Sequence, residues 1–186
     1  SMSRNNIKIG VILQGAETPF MKEVLKGIQE ACAEVDNLGG IVLVHKIEHQ
    51  NAEDVILAME KMRMEEVSGI AMVPLDEERV KREIDRFVEE FRIPVVTFTS
   101  DVEDTKRLCF VGQNGVQCGR AAAGLMGELT GGKGKVVVIS GYSTNTSLSS
   151  RVIGFREEIA RKYPGIEIIG PEYCFEENGR AREITE

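Results

Sequence analysis

Three stretches of this 186-residue chain have residue types that could do chemistry. His45 and His49 are its only histidines, and their even spacing puts both on one face of an extended segment. A zinc site needs further Cys, His or carboxylate ligands. Only Glu48 is adjacent, so no metal site is expected. Thr130-Gly-Gly-Lys-Gly-Lys135 invites a phosphate-loop reading. It lacks the Ser or Thr after the lysine, and it precedes a strand instead of joining strand to helix. An inter-element turn is the expectation. Gly141-Tyr142-Ser143 lacks the second glycine of a nucleophile elbow. The four cysteines, Cys32, Cys109, Cys118 and Cys174, form no C-x-x-C pair. They read as reduced, mostly buried thiols in a reducing compartment. Neither catalysis nor a cofactor is expected from these groups.

The elements around them alternate. Residues 7–13 read as a buried strand and 20–35 as a helix whose inward face carries Phe20, Val24, Ile28, Ala31 and Val35. Strand 41–47 follows Gly39-Gly40. Helix 51–66 begins at a capping Asn51 and buries Val55, Met59 and Met62. Strand 69–73, helix 76–91 with Val80, Ile84, Phe87, Val88 and Phe91 inward, and strand 95–99 complete four strands alternating with three helices. Pro94 separates the last two. This order predicts a parallel sheet with helices on both faces, and a ligand edge at the strand C-termini. Asp101 is the one acid clearly placed there. A short run 108–111 leads to a crossover at Gln113-Asn114-Gly115. Helix 114–129, strand 135–140, helix 147–163 and strand 166–173 follow, and another helix starts near Asn178. Two parallel strands do not make an independently stable sheet. The chain is therefore expected to be a fragment of a longer protein.

Composition bounds the partners. At 42% hydrophobic and 28% charged the chain reads as globular. No apolar run is long enough to span a bilayer, and no membrane partner is expected. The formal net charge of -7 does not attract nucleic-acid phosphates. Ser1-Met2-Ser3 and a polar lead-in precede the first strand without a signal-peptide pattern.

Several stretches, in order, resemble the periplasmic-binding-protein type I superfamily, and within it ribose-binding proteins and the effector domains of LacI/GalR-type (lactose-repressor-type) transcriptional regulators. Thr18-Pro19-Phe20-Met21 matches the family's NPFF loop. Gly69-Ile70-Ala71-Met72-Val73-Pro74 matches its third strand, and Ile93-Pro94-Val95-Val96-Thr97 its IPVV strand. Gly112-Gln113-Asn114 with Gly119 matches the crossover. Thr146-Ser147, Arg151 and Gly154-Phe155 match the helix entry of the second lobe. The resemblance implies an α/β, periplasmic-binding-protein-like fold of two Rossmann-like lobes with parallel sheets. The N-terminal lobe would cover residues 1–112, and 113–186 would begin a C-terminal lobe that is incomplete in this chain.

The resemblance also implies a ligand cleft. Carried over by position, it implicates Thr18, Phe20, Met21, Thr99, Ser100, Asn114, Ser147 and Arg151, with Phe175 as a looser match. Arg151 would supply a rigid fork of donors, Phe20 would cover a sugar ring face, and Asn114 would donate and accept. The structural alternatives remain open: Arg151 as a surface salt-bridge residue, Phe20 as a core or staple residue, Thr99 and Ser100 as a turn. Ribose-type binders carry Asn, a second aromatic and an Asp-Arg pair where Thr18, Met21 and Thr99-Ser100 stand, and an Asn where Val73 stands. Asp101 is near enough to stand in for the missing Asp. The expected ligand is a sugar or related polyol, less hydroxylated or bulkier than ribose. The expected function is the effector-binding domain of a cytoplasmic, homodimeric LacI-family regulator. Lobe closure on ligand would change DNA binding by a headpiece not in this chain. The alternative is a periplasmic or extracellular solute-binding protein of a sugar ABC transporter or chemoreceptor.

Overall fold

The computed structural model describes residues 7–14 and 18–186; the lead-in Ser1-Met2-Ser3 lies outside them. The elements in chain order are β1 (Lys8–Gln14), α1 (Pro19–Asn37), β2 (Ile41–Ile47), α2 (Ala52–Met64), β3 (Gly69–Met72), α3 (Glu78–Glu89), β4 (Val95–Phe98), β5 (Cys109–Val111), α4 (Gly115–Thr130), β6 (Lys133–Ser140), α5 (Thr146–Lys162), β7 (Gly165–Tyr173) and α6 (Asn178–Thr185). The chain divides into two compact units between Val111 and Gly112. No helix among the described residues is long and apolar enough to cross a membrane.

The first unit is built on a five-stranded sheet of order β2-β1-β3-β4-β5, parallel throughout. The path from β1 to β2 runs opposite to the paths from β2 to β3 and from β3 to β4. Right-handed crossovers therefore put α1 on one face and α2 with α3 on the other. The α2–α3 face is the core: Ile12, Val55, Met59, Met72, Val80, Ile84, Phe87 and Val95 are all completely buried. Asn51 caps α2 as expected, its side chain accepting from the Asp54 N–H at 2.8 Å.

Two expected faces are less buried than their periodicity suggests. No α1 residue is buried. Val24, Ile28 and Val35 are half-buried, while Ala31 and Phe20 are exposed, Phe20 to 60%. A helical period shows which side faces the sheet; it does not show what else covers the helix. Val88 on α3 and Phe91 just past its end are likewise half-buried, and Phe91 is roofed by the guanidinium groups of Arg63 and Arg86, 4.5 and 4.8 Å from its ring centre. The cysteines also depart from expectation. Cys109 is exposed on β5 at the sheet edge, and Cys32, Cys118 and Cys174 are half-buried. Among the described residues β5 pairs with β4 alone, at the end of the strand order.

The second unit pairs β6 with β7 in parallel. Gly131 ends α4 in the left-handed region (φ 66°), and β6 starts at Lys133, so the glycine-lysine stretch is a helix-to-strand turn running into a strand. Only Ala123, Val136, Ile159 and Ile166 are buried in its core cluster. Val137, Ile139 and Ile169, on the opposite face of the strands, stay 50, 38 and 40% exposed.

What holds this unit is the close approach of α4 to α5. Gly115, Gly119, Ala123 and Gly127 recur every four residues, so they share one face of α4. A Cβ at Gly119 would collide with the Arg151 carbonyl oxygen, and one at Gly154 with the Val116 carbonyl oxygen. The Tyr163 ring lies against Gly127. Backbone cannot yield as a flexible side chain can. Replacing Gly119 or Gly154 by Ala is expected to lower stability by about 2 kcal/mol or more. Gly124→Ala, on the open side of α4 with nothing within 4 Å, should raise it by about 0.5–1 kcal/mol. Chemical denaturation of the three variants checks the contrast.

Candidate functional site

In the first unit the expected site residues stand at the C-terminal ends of strands or on the helix that follows. Thr18 caps α1, its hydroxyl accepting from the Met21 N–H at 3.1 Å. Pro19 opens the helix, where its missing N–H is no loss. This presents Phe20 to solvent and leaves Met21 half-buried. After β4 the chain turns at Thr99, whose φ of 60° is rare for a β-branched residue. Its N–H donates to the Val111 carbonyl at 3.1 Å, which ties the turn to β5. Ser100 is 1% exposed. Both therefore belong to a turn, and the turn is a strained one.

Asp101 does not point its carboxylate away from the unit unaccompanied. Arg107 grips both oxygens, Nε to Oδ1 at 2.5 Å and Nη2 to Oδ2 at 2.6 Å, and Thr97 donates to Oδ1 at 2.7 Å. Burial pushes this carboxyl up, but the Arg107 and Thr97 hydrogen bonds outweigh it and hold Asp101 below the ordinary carboxylate value. The sequence stretch 101–107 reads only as polar, so the partner Arg107 escaped notice.

Gln14, the last residue of β1, escaped it too. It is 5% exposed, and its Nε2 has no hydrogen-bond partner among the described residues. A buried amide donor without an acceptor is costly unless something else supplies one. The signal available was a polar residue ending an apolar strand on the ligand edge.

In the second unit, Asn114 is an exposed cap of α4, accepting from the Gln117 N–H at 3.1 Å. Ser147 lies in the first turn of α5, and its N–H donates to the side chain of Asn145 at 3.0 Å. Asn145, buried and not anticipated, is the cap of α5 and also takes the Leu148 N–H. Arg151 is exposed and makes no ion pair among the described residues, so it is no surface salt bridge there. It borders a cavity of about 410 Å³ with Cys118, Ser140, Gly141, Leu148 and Phe155.

Phe175 follows β7 at a φ of 54°, its N–H donating to the Gly141 carbonyl at 2.9 Å. Its ring meets Tyr142 edge-on, with centroids 5.6 Å apart. Tyr142, which follows β6, was not anticipated. Burial, then the charges of Glu176, Glu177 and Cys174, pushes its hydroxyl above the ordinary tyrosine value, so it stays a donor. A half-exposed aromatic pair beside a hydroxyl donor suits a ligand with an apolar face and polar rim. His45 and His49 stand apart from all this on and after β2, and no group of three His, Cys, Asp or Glu among the described residues could hold a metal.

The periplasmic binding protein domain matches residues 9–186, nearly the whole chain. The chain belongs to this family. Among solved structures, a glucose-galactose binding protein from Geobacillus stearothermophilus is 25% identical with a TM-score of 0.86, and the match covers 97% of this chain and 63% of that one. An ABC transporter solute binding protein from Burkholderia graminis, in complex with D-arabinose, is 25% identical with a TM-score of 0.84, over 96% and 60%. A LacI transcriptional regulator of Bacteroides fragilis is 21% identical with a TM-score of 0.81, over 96% and 64%; this likeness is one of fold. The chain thus spans less than two thirds of the length of these structures. No curated protein sequence matches.

In this periplasmic binding protein domain the Asp101–Arg107 pair braces the turn that carries Thr99 and Ser100. The carboxylate is 13% exposed and the guanidinium 18%. Arg107→Ala would leave a largely buried carboxylate without its cation, though still bonded to Thr97, and is expected to lower stability by about 2 kcal/mol at neutral pH. Because Asp101 titrates below its unfolded value, the pair's contribution exists above the unfolded value and is lost as pH falls through the depressed one. The deficit of Arg107→Ala should therefore shrink towards about pH 3. Denaturation midpoints at neutral and acid pH measure it.

Proposed function

We propose that this chain binds a small neutral sugar or polyol at the strand C-terminal edges of its units, without turning it over. The observation that carries the reading is the edge of the second unit. Arg151, exposed and without an ion-pair partner among the described residues, lines a cavity with Gly141, and the Gly141 carbonyl holds Phe175 beside Tyr142. A guanidinium offers directed donors to hydroxyls, and an aromatic edge packs on the C–H face of a sugar ring. At the first unit's own edge, Gln14 Nε2, Thr18, Phe20, Met21, Thr99 and Ser100 are the groups offered to a ligand; in the second unit, Asn114 and Ser147 add to Arg151. Asp101 acts in this reading through the turn it braces.

Of the two uses of such a site, an extracytoplasmic solute-binding protein for sugar transport has the better support. The structures at 25% identity are a sugar-binding protein and a transporter's solute-binding protein. The second reading is the ligand-sensing domain of a LacI-type regulator, homodimeric and cytoplasmic, reaching DNA through a headpiece outside this chain. Four free cysteines favour it, since unpaired thiols suit a reducing compartment. Immunodetection in cell fractions separates the two: the outer or periplasmic fraction for the first, the cytosol for the second.

The binding test is a thermal-shift screen against neutral pentoses, hexoses, deoxy sugars and sugar alcohols. A ligand at about 100 times its Kd should stabilise the protein by about 2.7 kcal/mol, a rise of a few degrees. Arg151→Ala and Phe175→Ala should each weaken the response about tenfold or more while leaving the unliganded melting temperature within about a degree. An unchanged response in both variants would sink the site assignment.

A further inference from the structure

The seam between α2 and α3 holds two carboxyl groups apart from the strand-edge site. The side chains of Glu60 on α2 and Glu83 on α3 are 28% and 12% exposed. Arg63 takes one oxygen of Glu60, with Nη2 at 2.7 Å and Nε at 2.9 Å from Oε2. Arg86 lies between the two acids, its Nη1 3.5 Å from Glu60 Oε1 and 3.5 Å from Glu83 Oε1. Those separations are long for a charge-assisted hydrogen bond. Its Nε faces Glu90 at 3.3 Å. Both guanidinium groups are stacked on Phe91, which limits their freedom to move closer.

The other oxygen of Glu60 is the anomaly. Oε1 is shut off from solvent and accepts no hydrogen bond among the described residues. A buried carboxylate oxygen needs a donor. Glu60 Oε1 and Glu83 Oε1 lie the same 3.5 Å from one nitrogen of Arg86, so the two carboxyls face each other across the seam. Two ionised carboxylates only accept, so they cannot bond to each other; one protonated acid and one carboxylate can.

We propose that Glu60 and Glu83 share one proton across the α2–α3 seam, Glu83 as the acid and Glu60 as the acceptor, and that this bond is a pH-sensitive latch between the two helices. The proton leaves to solvent as pH rises, and two like charges then face each other in the seam. Burial first, and then the bond to Glu60, pushes Glu83 up to about 7. Its bond to Glu83, with help from Arg63 and Arg86, holds Glu60 below the ordinary value. The charged groups facing the pair are Arg63 from α2 and Arg86 from α3, with Glu90 beyond Arg86.

The signs follow from linkage. Glu83 is raised, so its contribution is full below its unfolded value and is lost as pH climbs through about 7. Glu60 is lowered, so its contribution exists above its unfolded value and is lost on the acid side. The latch therefore holds in mildly acidic solution and opens above neutrality. It would be felt at the strand edge, because α3 also anchors the 101–107 stretch: Lys81 pairs with Asp104 at 2.9 Å, and Asp85 accepts from the Lys106 N–H at 2.6 Å.

The test is a carboxyl ¹³C NMR titration of the whole glutamate-labelled chain, from about pH 4 to about pH 9, with Glu83→Gln and Glu60→Gln alongside. One glutamate should titrate near 7; that signal should vanish in Glu83→Gln and shift downward in Glu60→Gln, where burial still keeps it above the ordinary range. Thermal melts give a second readout. The wild-type melting temperature should drop by a few degrees from about pH 6 to about pH 8.5, and that of Glu83→Gln should not. If every wild-type glutamate titrates below about 5.5, no proton is shared and the proposal is wrong, whatever the variants do. An identical pH slope in Glu83→Gln would equally overturn it.

Discussion

Parallel strands joined by right-handed crossovers must all finish on one edge, and the helices that follow them must all begin there. In each unit taken by itself, the candidate site residues at the strand ends follow from that constraint. β1, β4, β6 and β7 end in or lead to Gln14, Thr99, Tyr142 and Phe175, and α1 and α5 begin beside them under the caps Thr18 and Asn145. One strand end in each unit also carries backbone strain. Thr99 and Phe175 both hold positive φ, at a cost of about 1–3 kcal/mol each for residues with a Cβ. Each is pinned by a backbone hydrogen bond, to Val111 and Gly141 respectively. Strain tolerated at two strand ends, and braced there, is what a binding edge requires of its scaffold.

The two units meet the cost of that edge differently. The first has a conventional core on its α2–α3 face, where long apolar side chains are wholly buried. Its other face carries α1, which buries nothing completely. The second unit has few buried side chains. It relies on glycine to bring the α4 and α5 backbones into contact, where dispersion between main-chain atoms replaces interdigitated side chains. Such a contact admits no added volume, whereas a half-covered apolar face admits a good deal.

Strand and helix order was legible because it depends on local period and punctuation. The β-branched runs, Gly39-Gly40, Pro94 and the caps Asn51 and Asn114 act within a turn or two of chain. Burial was legible only where one neighbour decides it. Val80, Ile84 and Phe87 face α2 and the sheet, and they are buried. Phe20, Ala31 and Cys109 depend on what covers a face or an edge, which no local period encodes. The candidate site divides in the same way. Thr18, Ser147 and Arg151 stand where a motif placed them. Tyr142 acquires meaning from Phe175, remote in sequence, Arg107 from Asp101, six residues away, and Gln14 from a buried Nε2 that has no partner among the described residues.

The Asp101–Arg107 pair shows how such a partner changes the reading of a whole site. Ribose-type binders, by resemblance, put an Asp-Arg pair where Thr99-Ser100 stand. This chain keeps the two residue types but moves them along, and binds them to each other with both carboxylate oxygens engaged. A charge pair that satisfies itself supports a turn and contributes little net field beyond it. Among the described residues, the edge of the first unit then offers an amide donor, three hydroxyls, an exposed phenyl ring and a thioether. Hydroxyls and amides discriminate by the direction of their hydrogen bonds, and an aromatic by the shape of the face laid on it. In the proposed reading, groups of that kind reward a ligand with fewer hydroxyl groups and more apolar surface than ribose, because the Asp101 carboxylate is already bound to Arg107.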